Sequence, residues 1–313
     1  MILAVAHLAR LARAGFVFAR EGVLGLADPN LLPLGLRGAL RLARLLERRA
    51  APEGRARLAA ALTRLGPSYV KLGQFLATRP DVVGLALARD LETLQDKLPP
   101  FPQAEAEAAV ARALECKLTE CFASFGPAVA AASIAQVHRA EVMTPEGPKA
   151  VAVKVLRPGV ERRFRADLAA FFFAARLAER YSLEAQRLRL VDVVETLARS
   201  VAIEMDLRLE AAALSEMAEN TRDDPDFRVP AVDWDRTARD VLTLEWVDGT
   251  PLSDRAALVA KGFDLEALAC AVMQTFLRHA LRDGFFHADM HPGNLFVDDV
   301  GRIVAVDFGI MGR

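Results

Sequence analysis

The stretch HADMHPGNLFVDDVGRIVAVDFG, residues 287–309, decides how the rest of the chain is read. Phosphoryl transfer asks little covalent chemistry of a protein. It needs a carboxylate near the acceptor oxygen and side chains that hold a divalent metal against the phosphates. Asp289, then Asn294 five residues on, then Asp307 inside an Asp-Phe-Gly triplet supply those groups in that order. The thirteen residues from Asn294 to Asp307 suit a short hairpin, LFVDDVGRIVAVDF, with its turn near Asp298–Gly301. Such a hairpin returns the second metal ligand beside the first. Singly, HADMHPGN reads as a polar turn and DFG as a strand terminus. Three coupled elements at workable spacing favour the chemical reading.

Upstream, VAVK ends at Lys154. Alternating valines fix a strand, and the lysine projects to one face, where it can hold phosphate oxygens as a point charge. Strands ending in lysine are common, but 135 residues before Asp289 this one stands where a kinase keeps its phosphate lysine. A helix-borne carboxylate should hold it, and IEMDLRLEAAAL offers Glu204, Asp206 and Glu210. On one helix Glu204 and Asp206 point apart, and Glu210 falls near the angular position of Asp206 one turn later. A solvated acidic face would account for one or two of the three. Kinases cover the phosphates with a glycine-rich loop because glycine lets backbone amides approach closely. Here AVAAASIAQVHRA stands instead, with no glycine between 128 and 146, so the loop should be stiffer and its nucleotide geometry unusual.

Proline and β-residue texture divide the chain. Residues 1–126 read as helices, punctuated at Pro29, Pro33, Pro52, Pro67, Pro80 and Pro99–Pro100. Two β-rich runs follow, around SIAQVHRAEV and KAVAVKVL, joined by the turn TPEGP. Helical patterns occupy 159–180 and 190–220, strand candidates 227–233 and 241–247, and helix again 251–284. The fold class is α+β: a two-lobed protein-kinase-like fold with an N-terminal helical extension over 1–126, a small lobe with inserted helices over 127–248, and the start of a large lobe over 249–313. The chain ends six residues past Asp307, so the large lobe is truncated and a longer parent is expected.

Composition sets limits on the rest. The 313 residues are 53% hydrophobic and 26% charged, enough for a large core and too apolar for disorder. The net charge of −1 gives no reason to expect nucleic acid. Residues 1–65 nevertheless carry eleven arginines against Glu21, Asp28, Glu47 and Glu53, a balance of +7. That segment suits an anionic surface or a solvated helix face. The start, MILAVAHLARLARAGFVFAREG, lacks the short apolar core and cleavage site of a signal peptide and reads as an amphipathic helix. His7, Arg10, Arg13 and Arg20 share an arc interrupted by Val17, opposite Val5, Leu8, Leu11 and Phe16. Packing on the body and lying in a membrane interface both fit. No run of residues is long and apolar enough to read as a membrane span. Cys116, Cys121 and Cys270 form no CxxC pair and read as small buried residues of a reducing compartment.

Together, AAASIAQVH (130–138), Lys71-Leu72-Gly73-Gln74 (KxGQ), Glu204-Met205-Asp206 (ExD) and HADMHPGN resemble the UbiB/ADCK family of atypical kinases, over about residues 5–313. The resemblance implies that the KxGQ helix folds over the active site where protein substrates would otherwise dock. Lys71 and Gln74 would then sit near the nucleotide, with Glu204 and Asp206 facing the extension. Glu210 would pair with Lys154, and Ala131, Ala132 and Ser133 would cover the nucleotide. The backbone of Glu245-Trp246-Val247 would meet the adenine, although an ordinary sheet strand fits there too. Asp289 would be the catalytic acid beside the catalytic Lys154, with Asn294 and Asp307 as magnesium ligands. Two positions depart from the pattern: Ala135, where many relatives carry glycine, and His291, where ordinary kinases have a lysine.

By the same resemblance the expected function is binding of ATP or ADP with Mg²⁺, and slow ATP hydrolysis supporting ubiquinone biosynthesis. The expected place is the cytoplasmic face of the inner membrane, peripheral for this chain and anchored by transmembrane helices in the parent. Expected partners are the membrane surface, quinone-precursor lipids and ubiquinone-biosynthesis enzymes. Relatives are also catalogued as 2-polyprenylphenol 6-hydroxylases, yet no flavin-type GxGxxG, iron-ligand cluster or haem cysteine stands in the sequence. Two other readings compete: a nucleotide-gated scaffold for lipids or partner proteins, and a small-molecule kinase of the aminoglycoside phosphotransferase type. The KxGQ helix separates the family from the latter.

Overall fold

The structure, a computed structural model, describes residues 2–23, 45–48, 56–92, 94 and 98–313. The helical readings around Pro29, Pro33 and Pro52 lie outside the described residues. In chain order come α1 (Ile2–Arg20), α2 (Ala56–Leu65), α3 (Pro67–Ala77), α4 (Pro80–Val83) and α5 (Leu85–Leu91). Next are α6 (Gln103–Ala113), α7 (Leu118–Cys121), β1 (Ser124–Ala131), β2 (Ala135–Thr144) and β3 (Gly147–Leu156). Then follow α8 (Val160–Tyr181), α9 (Leu183–Leu188), α10 (Leu190–Glu204) and α11 (Leu207–Asn220). The remainder holds β4 (Phe227–Arg228), β5 (Val241–Glu245), β6 (Thr250–Pro251), α12 (Arg255–Ala260) and α13 (Leu265–Arg278). Last come β7 (Phe286–His287), β8 (Leu295–Val297), β9 (Ile303–Ala305) and β10 (Met311–Gly312).

By internal contact the chain forms two compact units. One is Met1–Pro99, Ala132–Ile134 and Gly159–Val201; the other is Pro100–Ala131, Ala135–Pro158 and Ala202–Arg313. These units interleave along the sequence and do not follow the divisions after 126 and 248. Helices α6 and α7 belong with the sheet, whereas α8, α9 and most of α10 belong with the N-terminal helices. Among the described residues no helix is long and apolar enough to cross a membrane.

The first unit is helical. Pro67 opens α3 with its fixed φ, following Gly66 at φ 104, a backbone only glycine adopts without strain. The Arg163 guanidinium donates to Leu65 O at 2.8 Å beside that glycine. On α3, Val70 is fully buried and the Tyr69 ring meets Phe171 of α8 edge-on at 5.0 Å. Burial pushes the Tyr69 hydroxyl up to about 12.

Helix α1 packs by its polar arc, the reverse of what its amphipathic pattern suggests for a packed helix. His7 stacks on Phe173 at 5.8 Å, Arg10 donates to Asp167 at 3.0 Å, and Ala14 and Val17 are buried. Val5, Leu8 and Phe16 stay exposed. A small-residue line between two long polar side chains lets the helix approach closely, and a buried Asp167 rewards an arginine there.

The second unit is built on an antiparallel sheet ordered β1-β2-β3-β5. Period-2 alternation turns Val151, Val153 and Val155 of β3 into a core with Phe101, Ala106, Ala109, Val110 and Phe122, and leaves Lys154 on the other face. Strand β1 is a correction, because SFGPAVAA was read as the end of the helices and the start of the covering loop. Alanine, glycine and proline have little intrinsic strand preference, and here pairing with β2 overrides it. A second sheet runs β4-β9-β8-β6, and β7 pairs with β10. The expected hairpin forms between β8 and β9. Asp298 closes its turn by accepting from the backbone N–H of Val300 (3.1 Å) and Arg302 (2.8 Å).

Two further expectations need correction. The helix read over 190–220 breaks at Met205–Asp206, because Asp206 takes extended dihedrals and caps α11, accepting from Arg208 N at 3.2 Å. Nor are the cysteines three small buried residues. Cys116 and Cys121 form a disulfide across a six-residue turn, with Cα atoms 6.6 Å apart, and Cys270 is exposed.

Candidate functional site

Lys154 is the centre of the charged cluster in the second unit. The strand ladder holds it between Val137 of β2 and Leu242 of β5, so its backbone has no freedom to shift. Its Nζ donates to Glu210 Oε1 at 2.8 Å and Oε2 at 2.9 Å, and reaches Asp307 Oδ1 at 3.5 Å. The Lys154 side chain is 19% exposed and that of Glu210 is 7% exposed. Burial alone would push the lysine down, but Asp307 and Glu210 outweigh it and hold the ammonium above its ordinary range. Burial pushes the Glu210 carboxyl up, and the Lys154 charge pulls against it. A break at Met205 gives α11 its own axis and puts Glu210 in its first turn, aimed at β3. Of the three carboxylates weighed on the sequence, Glu210 meets the lysine. Asp206 pairs instead with Arg208 at 2.6 Å, and Glu204 ends α10.

The loop between β7 and β8 is tied by its own polar groups. Asn294 Nδ2 donates to the backbone O (3.2 Å) and Oδ2 (3.1 Å) of Asp289. His287 Nδ1 accepts from Asp289 N at 3.1 Å, so its proton sits on Nε2 when the ring is neutral. Burial holds His287 below its usual range, against the pull of Asp307 and Asp289. His291 turns into the loop, its Nδ1 accepting from Gly293 N at 3.1 Å. Val306 N donates to Asn294 O at 3.0 Å, which sets the strand carrying Asp307 beside Asn294. Asp307 Oδ1 also accepts from Gly309 N at 3.2 Å. Among the described residues no three His, Cys, Asp or Glu gather as a metal cage. The Asp307 carboxylate and the Asn294 amide oxygen are hard donors, however, and magnesium commonly takes one or two carboxylates and completes its shell with phosphate oxygens and water. The donor set fits that ion.

At the strand end named for adenine, Glu245 N donates to Ala231 O at 2.8 Å and Trp246 N to Ala150 O at 3.3 Å. The Glu245 carboxylate accepts from Arg228 Nη1 at 3.2 Å and from Ala231 N at 3.2 Å, so it braces this edge, and half-buried Val247 follows. Ala131 ends β1 opposite Gln136, and Ala132 and Ser133 form the turn after it. Lys71 and Gln74 lie on α3, in the other unit.

Sequence reasoning missed the residues that brace this sheet. Gln136, 1% exposed, accepts from Phe101 N at 2.9 Å and donates to Phe101 O at 3.4 Å and to His138 Nε2 at 2.9 Å. His138 Nδ1 must donate to Gly126 O, 2.9 Å away, because a carbonyl only accepts; this fixes the tautomer. The available signal was Phe101 between Pro100 and Pro102, a backbone group that regular structure cannot satisfy.

The ABC1 atypical kinase-like domain matches residues 93–313. A probable protein kinase UbiB of Azotobacter vinelandii is 42% identical over 99% of this chain and 58% of its own length. Its namesake in Pseudomonas aeruginosa is 40% identical over 99% of this chain and 59% of its own. That of Marinobacter nauticus is 42% identical over 82% and 47%. The chain therefore spans between 47% and 59% of the length of these curated relatives. Among solved structures, the Rv3197–erythromycin complex from Mycobacterium tuberculosis superimposes with a TM-score of 0.52 at 29% identity, covering 77% of this chain and 59% of that one.

Proposed function

Because the chain belongs to the ABC1 atypical kinase-like family, with UbiB proteins as near relatives, we propose that it binds ATP or ADP with Mg²⁺ and hydrolyses or transfers the terminal phosphoryl group in support of ubiquinone biosynthesis. The observation that carries this reading is Lys154 of β3 held by Glu210 of α11 and within reach of Asp307 in the loop after β9. In this reading Lys154 offers its ammonium to phosphate oxygens, and Glu210 keeps it extended toward them. Asp289 orients the acceptor hydroxyl or water, Asn294 fixing its carboxylate through the 3.1 Å bond. Asn294 and Asp307 would hold Mg²⁺, which supplies charge neutralisation at the phosphates when bound. Ala131, Ala132 and Ser133 would close over the nucleotide, and the Glu245–Val247 backbone would take the adenine. The KxGQ residues Lys71 and Gln74, together with Glu204 and Asp206, are read as the regulatory groups that exclude protein substrates.

A membrane surface as partner is favoured by α1, which exposes Val5, Leu8 and Phe16 beside Arg13 and Arg20. The inner-membrane setting and contact with quinone-precursor lipids or their enzymes are part of the same proposal, supported by the kinship with UbiB proteins.

Titration calorimetry with ATP and Mg²⁺ tests the metal assignment. Asp307→Asn should abolish the magnesium-dependent part of nucleotide affinity, and unchanged affinity would remove Asp307 from the site. ATP turnover measured with and without anionic liposomes and a quinone-precursor phenol tests the setting; a rate indifferent to both would detach the activity from the membrane.

A further inference from the structure

Glu210 meets Lys154 only while α11 keeps its position, and both ends of that helix are tied. At the near end, Asp206 caps it and Leu207 N donates to Arg239 O at 2.9 Å. At the far end stands Asp224, its side chain 5% exposed. It accepts from Arg282 Nη1 (2.7 Å) and Nη2 (3.2 Å) and meets His279 Nε2 at 3.2 Å, with Arg278 Nη1 at 3.4 Å. Arg282 Nη2 also donates to Asn220 O at 3.2 Å, capping the last carbonyl of α11. Beside it, Arg278 grips Asp226 through two bonds of 2.7 and 3.0 Å.

All three basic groups come from one place. Arg278 ends α13, and His279 and Arg282 lie in the π-turn His279–Asp283 that leads into β7 and the Asp289 loop. A π-turn inserts one residue into the helical repeat and is rare enough in proteins to mark a constraint. Here it presents His279 and Arg282 to the same carboxylate. The His279 ring is 2% exposed and sits edge-on to Phe227 of β4 at 4.7 Å. Desolvating an aspartate this far is costly unless its donors are all present, so the cluster behaves as a unit.

We propose that Asp224, through His279 and Arg282, is a positioning residue that locks α11 to the turn before the catalytic loop and so keeps Glu210 permanently in register with Lys154. The pair is thereby built in, with no swinging helix to make or break it. This deepens the nucleotide-site reading and rests on it only for the role of Lys154; its test uses no nucleotide, so the two fail separately.

The test is native-state acylation of Lys154 by a small activated ester on the full chain, read by peptide mass spectrometry. A lysine bonded to both oxygens of a buried carboxylate is poorly presented to the reagent and reacts slowly. Asp224→Asn should raise the Lys154 rate several-fold, because the ammonium is then no longer held against the buried Glu210 carboxylate. Glu210→Gln should raise it at least as much, and the double variant should match Glu210→Gln alone, since both act through one contact. Arg282→Lys keeps the charge and loses the fork, and should give a smaller rise even if Asp224→Asn fails to fold. Leu258→Ala, a core truncation in a separate cluster, should leave the rate unchanged. A wild-type rate in Asp224→Asn or, where that variant does not fold, in Arg282→Lys, or multiplying effects in the double variant, or an equal rise in Leu258→Ala, would each overturn the proposal.

Discussion

Gln136 shows what a single side chain does when the backbone cannot help itself. Phe101 lies between two prolines, and its N–H and C=O find no ladder, so the Gln136 amide pairs with both and spends its remaining donor on His138. Replacing it with alanine leaves three buried polar groups without partners. At about 1 kcal/mol or more for each, Gln136→Ala should cost roughly 3 kcal/mol in a urea unfolding experiment. A loss below about 1 kcal/mol would mean that water or a neighbour satisfies them. The chemistry-bearing residues were easier to read than these. Lys154, Asp289, Asn294 and Asp307 stand out because their order and spacing match what the proposed phosphate and metal site asks for. Asp224, His279 and Gln136 are polar residues on apolar faces, and nothing in one sequence says which partners they will find.

At the scale of elements, the KxGQ helix is set by close packing at its glycine. A Cβ at its Gly73 would stand 2.4 Å from Leu94 Cδ1 and 2.7 Å from Leu62 Cδ1, inside the first unit. Helical glycine normally weakens a helix by up to about 1 kcal/mol relative to alanine. Overpacking typically costs about 1–3 kcal/mol, so Gly73→Ala should lower stability by about 1 kcal/mol net, in thermal melts of the chain. A gain in stability, as at an open helical glycine, would contradict this packing role. Elsewhere the pattern of elements was legible where periodicity was strong: β3, the β8–β9 hairpin and the long α8 all stand where the apolar repeat put them. It failed at β1, whose alanines carry no strand signal. It failed again at Met205–Asp206, where an unbroken helical pattern concealed an N-cap that acts only once α11 turns away.

For the whole molecule, the buried histidines set its response to acid. His138, His279 and His287 are each held below their ordinary value near 6.5, burial being the largest cause in all three. A depressed folded pKa means that the unfolded chain binds more protons below about 6.5, so this stability is present above that pH and lost as pH falls through the folded values. Asp224, Asp226 and Asp298, held below their ordinary 3.8, carry the same sign further into acid. Lys154 works oppositely, its stabilisation complete below about 10.5 and lost above. Thermal midpoints should therefore be lower at pH 5.5 than at pH 7.5, and a flat or inverted profile across that interval would refute the assignment of three neutral histidines.

The interleaving of the two units also has a consequence for synthesis. Its N-terminal helices are made first, yet their partners α8 and α9 belong to a stretch that ends only at Val201. On a ribosome adding about 5–20 residues per second, the roughly one hundred residues from Pro99 to Val201 take on the order of 5–20 s. Until Val160–Tyr181 has been made the nascent N-terminal helices have no α8 to pack against, and the sheet strands β1 to β3 emerge before either unit can be completed.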